Sequence, residues 1–186
     1  LRMFYRKPII LHYHGSDIRG KWKEKRKYWI KADIILYSTK DLKEEDTPKR
    51  AIWLPNPVDI EIFYERHPVK YTGTAFTISY KADDIARNIA SKYGLKLVIH
   101  DSRKEPIPHT KLADVLCDYE YYIDVKRVLR RGQLILCNYF SKTGLEALAC
   151  NRKVIRWDGC LIEKLPKEHN PVEVVSRLGN IYQKVL

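Results

Sequence analysis

The chain has 186 residues, enough for one ordinary domain or two small ones. With 45% hydrophobic residues it can form a real core, which excludes a disordered chain, and its formal net charge of +12 favours anionic partners such as phosphorylated small molecules, lipid surfaces or nucleic acid. Its four cysteines, Cys117, Cys137, Cys150 and Cys160, show no C-x-x-C spacing, and the histidines form no zinc-type pair, so reduced and mostly buried thiols are expected, with neither metal nor cofactor.

In chain order, Pro8–His14 reads as a strand ending at Gly15, followed by a helix over Arg19–Lys31 whose N-terminus Ser16 or Asp17 would cap. Asp33–Ser38 is a second strand, continuously apolar as buried parallel strands are, and Ala51–Leu54 a third, stopped by Pro55-Asn56-Pro57. Residues 61–74 read as a connection, with His67-Pro68 and Gly73 as punctuation. A second alternation then begins: strand Phe76–Tyr80, helix Ala82–Tyr93 ending at Gly94, strand Leu95–His100, short helix Lys111–Cys117 and strand Tyr121–Val125. A helix over Leu145–Cys150, a strand over Lys153–Trp157 and a terminal helix Val172–Val185 opened by Pro171 complete the chain. Strands alternating with helices predict an α/β protein with parallel sheets in two βαβ blocks, the first abbreviated. No apolar run approaches the ~20 residues that span a bilayer, and the start lacks a signal-peptide pattern.

Three segments carry chemistry. His14 and Gly15 fall at the carboxyl end of a strand, where parallel sheets place ligands, although a plain strand–turn–helix with an Asp cap explains the same residues. The segment 19–31 is strongly basic (Arg19, Lys21, Lys23, Lys25, Arg26, Lys27 and Lys31 against Glu24) and sets Trp22, Trp29 and Ile30 on one helical face. That pattern suits an anionic membrane surface, and equally a surface helix packed on its sheet. In the third segment a helix starts within Ser141-Lys142-Thr143-Gly144, offering free amides and polar donors to a diphosphate, while Glu146 can accept from ribose hydroxyls. The competing explanation is a capping box in which Glu146 bonds the backbone of Thr143.

These stretches resemble, in order, nucleotide-sugar glycosyltransferases of the GT-B fold, family 4 in particular. Pro8–Asp17 is similar to the family's strand ending in His-Gly-x-Asp. Lys31–Ser38, followed by Leu54–Asp59 and Phe63, resembles its passage before the interdomain linker, and Leu145–Cys150 through Val154-Ile155 its "lEAmAcG.PVi" stretch. The resemblance implies two Rossmann-like units meeting at a cleft: a partial acceptor-side unit over residues 1–66, a donor-binding domain over 67–165 and a terminal helix over 166–186 returning towards the first. It implies a UDP- or GDP-linked sugar as partner, retaining transfer without a metal, catalytic roles for His14 and Glu146, and donor binding by Gly15, Lys81, Asn138, Ser141, Lys142, Thr143, Gly144 and Leu145.

The chain departs from the family at Asn138, where a Glu is usual, at Lys81, the sole stand-in for the usual Arg and Lys on the diphosphate, and at Asn151-Arg152, where a Gly is usual. The front half of the family's first domain is missing before Leu1. Little or no transferase activity is therefore expected of this chain, and the alternative reading is a non-catalytic truncated homologue that binds a nucleotide, a membrane or a partner. Self-association through an open sheet edge is expected. No nucleic-acid signature accompanies the charge, so nucleic acid is not the expected partner. A cytoplasmic location, peripheral on the inner face of the membrane, and a thermophilic source complete the expectations.

Overall fold

A computed structural model describes residues 7–130 and 132–184, Ser16 by its backbone alone. The protein is α/β, with Rossmann-like units built on parallel sheets, and among the described residues no barrel closes. One unit comprises Leu1–Pro57 with Val172–Leu186, the other Val58–Pro171.

In the first unit β1 (Ile10–Tyr13), β2 (Ile34–Tyr37) and β3 (Ile52–Trp53) form a parallel sheet in the order β1-β2-β3, with Leu11 opposite Ile35 and Leu36 opposite Ile52. Every residue of β2 is buried because both faces are covered. Ile35 and Tyr37 point into a cluster with Ile18, Trp22, Ala32 and Leu42, whereas Ile34 and Leu36 point into a cluster with Leu54, Val174 and Ile181.

The helix expected over Arg19–Lys31 shrinks to α1 (Arg26–Trp29), preceded by turns. Gly20 adopts a left-handed φ of 71°, which breaks the helix, and the lysines at 21 and 25, and at 23 and 27, would repel one another at i,i+4. The aromatic stripe does not form either: Trp22 is only 1% exposed and its indole N–H donates to the Leu42 carbonyl at 2.7 Å, while Ile30 is 56% exposed. Asp17 caps no such helix; its carboxylate accepts from the His14 backbone N–H at 2.9 Å across the turn Gly15–Asp17. The Ser16 side chain lies outside the described residues.

The second unit is a five-stranded sheet. Its strands are β4 (Tyr71–Ile78), β5 (Lys96–His100), β6 (Tyr119–Asp124), β9 (Lys153–Arg156) and β10 (Leu161–Ile162), ordered β10-β9-β6-β4-β5 and parallel except for β10. Helix α2 (Asp83–Lys92) covers one face through Ala86, Ile89 and Ala90. Helices α3 (His109–Asp118) and α4 (Lys142–Ala149) cover the other through Leu112, Leu116, Leu145 and Leu148. A two-stranded antiparallel hairpin, β7 (Arg127–Arg130) and β8 (Gln133–Leu136), stands apart from this sheet between β6 and α4. The terminal helix α5 (Pro171–Tyr182) packs Val174, Leu178 and Ile181 in the first unit's core; the expected helix end at Val185 lies outside the described residues.

Three differences from the sequence expectations have local causes. β4 begins at Tyr71, inside the expected connection, because Gly73 marks a bulge within the strand rather than its border. The register with β6 shifts there, and Gly73, at φ 65°, donates its N–H to the Glu120 carboxylate. Val58 and Phe63, grouped with the first block in the sequence reading, are buried in the second unit's core. Asn151 takes φ 59°, a left-handed conformation that Asn tolerates better than most residues. Its side chain and that of buried Arg152 both hold the Glu65 carboxylate.

Candidate functional site

The order of strands in the second unit decides where a ligand can sit. From β4 the chain runs through α2 to β5 on one side, then through α3 to β6 on the other. The carboxyl ends of β4 and β6 therefore flank the point where the winding reverses, the usual ligand crevice of an open parallel sheet. Ser79, Tyr80 and Lys81 follow β4 there, Asp124 ends β6, and the N-termini of α3 and α4 supply His109 and Ser141–Thr143.

Ser141 begins α4. Its hydroxyl accepts from the Gly144 N–H at 2.9 Å, so Ser141, and not Thr143, is the N-cap. The competing Thr143–Glu146 capping box is absent because the helix is capped at Ser141 and Glu146 lies too deep in it to reach back. Instead its Oε1 stands 3.5 Å from Lys142 Nζ on the preceding turn and 3.5 Å from His109 Nε2. Glu146 is 2% exposed. Burial raises its pKa, and the charges of Lys142 and His109 oppose the rise. The His109 ring, half exposed, meets Phe63 edge-on at 5.1 Å.

One amide at this helix start, that of the N-cap Ser141, already has an anion of its own. Asp124 Oδ2 accepts from the Ser141 N–H at 2.9 Å and is fully enclosed. A Cβ at Gly144 would stand 2.4 Å from the same oxygen, so glycine is what lets α4 approach the strand end this closely. Burial lifts the Asp124 pKa to about 6, against the hydrogen bonds from Ser141. Two tyrosines lie beside this helix start. Tyr122 is wholly buried with its hydroxyl pKa raised well above 10 by desolvation, and Tyr80, also raised by burial, hydrogen-bonds Thr143.

Ser141, Lys142, Thr143, Gly144, Leu145 and Glu146 thus share one helix start, but not all face a ligand: Leu145 is core, and Gly144 is packed against Asp124. Lys81 is exposed at the end of β4 in a left-handed conformation (φ 59°), its carbonyl bonded by Arg127, and Asn138 is exposed on the approach to α4. His14 and Gly15 belong to the first unit. There His14 is exposed, its ring 4.1 Å from that of His12, whose pKa is lowered to about 4 by burial and by its neighbour.

Sequence reasoning missed Asp124, His109, Tyr80 and Tyr122. Asp124 and Tyr80 could have been found from their places at strand ends; nothing local marks His109 or Tyr122. Among the described residues no group of three or more His, Cys, Asp and Glu side chains is arranged to hold a metal ion, and no helix is long and apolar enough to cross a membrane. Compared with known proteins, the chain matches no family model and no curated protein.

Proposed function

We propose that the second unit binds a nucleotide sugar, UDP- or GDP-linked, at the carboxyl edge of its sheet, as a glycosyltransferase-type protein whose own turnover is low. The observation that carries this reading is Glu146. A carboxylate enclosed at the crevice of a doubly wound sheet, with two cationic partners no closer than 3.5 Å, keeps acceptor capacity for a pair of ribose hydroxyls. His109 and Lys142 flank that carboxylate at 3.5 Å, and the exposed Lys81 and Lys142 would supply positive charge for the diphosphate. In an active relative, transfer would be retaining, with electrostatic stabilisation of the leaving diphosphate in place of a metal.

A second reading, a non-catalytic binding homologue, is favoured by Asp124. Its carboxylate occupies the amide of the N-cap Ser141, just before α4, and, when ionised, disfavours a diphosphate at that end. Asn138 points the same way, since an amide hydrogen-bonds a sugar hydroxyl but brings no negative charge to a developing oxocarbenium ion.

Calorimetric titration of UDP, GDP and their hexose conjugates against wild type and Glu146→Gln tests the assignment. We expect about a tenfold or greater loss of affinity in the variant, with its melting temperature retained. Equal affinity in a folded variant rejects the ribose role. Rapid, acceptor-dependent release of nucleoside diphosphate by the 186-residue chain rejects the low turnover.

A further inference from the structure

The first unit brings two imidazoles together. His12 lies in β1, and the chain stays extended through His14 (φ −125°, ψ 111°), so the two side chains, two residues apart, share one face of the sheet. Their ring centroids are 4.1 Å apart. His14 is exposed, whereas Nε2 of His12 is enclosed and has no hydrogen-bond partner. The Leu54 carbonyl accepts from the His12 ring, and with Nε2 unpaired the donor is Nδ1. That bond places the proton on Nδ1 and leaves a lone pair on Nε2. A buried acceptor left without a partner costs about 1–3 kcal/mol, so this nitrogen is a place where a ligand gains affinity. Negative charge stands at the same strand end: Gly15, at φ 59°, turns the chain, and the Asp17 carboxylate returns to accept from the His14 backbone N–H at 2.9 Å.

We propose that His12 and His14 chelate a divalent transition-metal ion of the zinc and copper class, each through one imidazole nitrogen, with water in the remaining positions. Imidazole pairs select this class over Mg²⁺ and Ca²⁺, which take oxygen ligands. An anion would need both rings protonated, and two imidazolium charges 4.1 Å apart disfavour one another. The Leu54 carbonyl plays the part usual beside a metal-bound histidine, holding the other ring N–H and so fixing the ring's orientation. On one ion, with bonds of about 2.0–2.1 Å, two imidazole centroids stand about 4.5 to 5 Å apart, so a movement of about an ångström by the exposed His14 completes the chelate. Among the described residues no third His, Cys, Asp or Glu joins the pair, which makes the ion exchangeable and open to solvent, unlike a structural zinc. The spacing His-x-His belongs to a strand, and the expectation of no metal rested on other spacings. The proposal is independent of the nucleotide-sugar reading, which concerns the second unit and uses no metal.

The test is calorimetric titration of Zn²⁺ into the full chain, with Mg²⁺ as control, for wild type, His14→Ala and His12→Gln. We expect wild type to bind Zn²⁺ and not Mg²⁺, and each variant to bind Zn²⁺ about tenfold or more weakly. His14 is exposed, so its variant should keep the wild-type melting temperature. Should His12→Gln unfold, the imidazole resonances of wild type give a second readout: those of His12 and His14 are expected to shift together as Zn²⁺ is added. Absence of Zn²⁺ binding by wild type overturns the proposal, as does equal affinity in folded His14→Ala. Shifts confined to the other histidines, His67, His100, His109 and His169, would also overturn it and place the ion elsewhere.

Discussion

In the first unit, a three-stranded parallel sheet is covered on one face by turns and a single short helix, and on the other by a helix from the far end of the chain. In the second, four parallel strands and one antiparallel edge strand lie between α2 and the α3–α4 pair, all supplied by one continuous stretch. Both cores obey the same rule. Alternate residues of a central strand feed opposite clusters, Ile35 and Tyr37 against Ile34 and Leu36 in β2, Tyr122 against Ile123 in β6. They differ in what completes them: the second is finished by its own helices, the first only when α5 arrives. The chemistry differs as well. The winding reversal that makes a crevice needs crossovers to both sides of a strand; the second sheet has it, whereas among the described residues the first runs β1-β2-β3 in one direction.

The most severe way to break this comparison is to place a charge on the helix that completes the first core. Val174→Asp buries a carboxylate against Ile34 and Leu36, at a cost on the order of 4 kcal/mol or more. Hydrogen exchange should show β2 amides losing protection while those of β6 keep theirs. Equal loss in both strands would mean that the two cores do not unfold separately.

The second unit's own weakness is Asp124. A buried carboxyl group whose pKa is raised from 3.8 to about 6 binds its proton more tightly when folded, so its contribution favours folding below the unfolded pKa. That contribution declines as pH climbs from about 4 to about 6. The span corresponds to about 3 kcal/mol. Asp124→Asn should remove that component, so the wild-type-minus-variant difference in unfolding free energy should fall across pH 4 to 6 and level off above. A flat difference would show that Asp124 titrates in the ordinary range.

Two smaller changes probe how α4 meets β6. Gly144→Ala pushes a methyl group into Asp124 and is expected to cost about 2 kcal/mol by overpacking, with part of the loss recovered when Asp124→Ala is combined with it. Additive losses in urea unfolding would separate the two positions. Ser141→Ala, which removes the cap on Gly144 together with the hydroxyl's bonds to Asp124 and Tyr122, should cost about 1 kcal/mol or somewhat more, and a null result would show these bonds replaced by water.

How far the sequence could be read depended on how local each interaction is. Helix α2, with its apolar spacing and terminal Gly94, and the parallel strands β2, β5 and β9 are visible in periodicity and punctuation. The hairpin β7–β8 was missed because Val128-Leu129 and Leu134-Ile135-Leu136 are interrupted by arginines and joined by Arg131-Gly132, not by Asn-Gly or Asp-Gly. β10 escaped although Asp158-Gly159, which precedes it, is such a signal.

The sequence by itself determined the α/β class, the parallel strands and the polar start of α4, since all of these rest on neighbours within a few turns of chain. Only the tertiary structure decided which groups surround that helix start. Tyr80, His109, Asp124 and Glu146 are far apart in sequence and converge because β6 lies beside β4 while α3 and α4 share a face. It also decided that Trp22 serves a core and that Asp124 occupies the amide of Ser141. Periodicity reports how deeply a residue is buried but not against what; the partner follows from strand order, which no local pattern encodes.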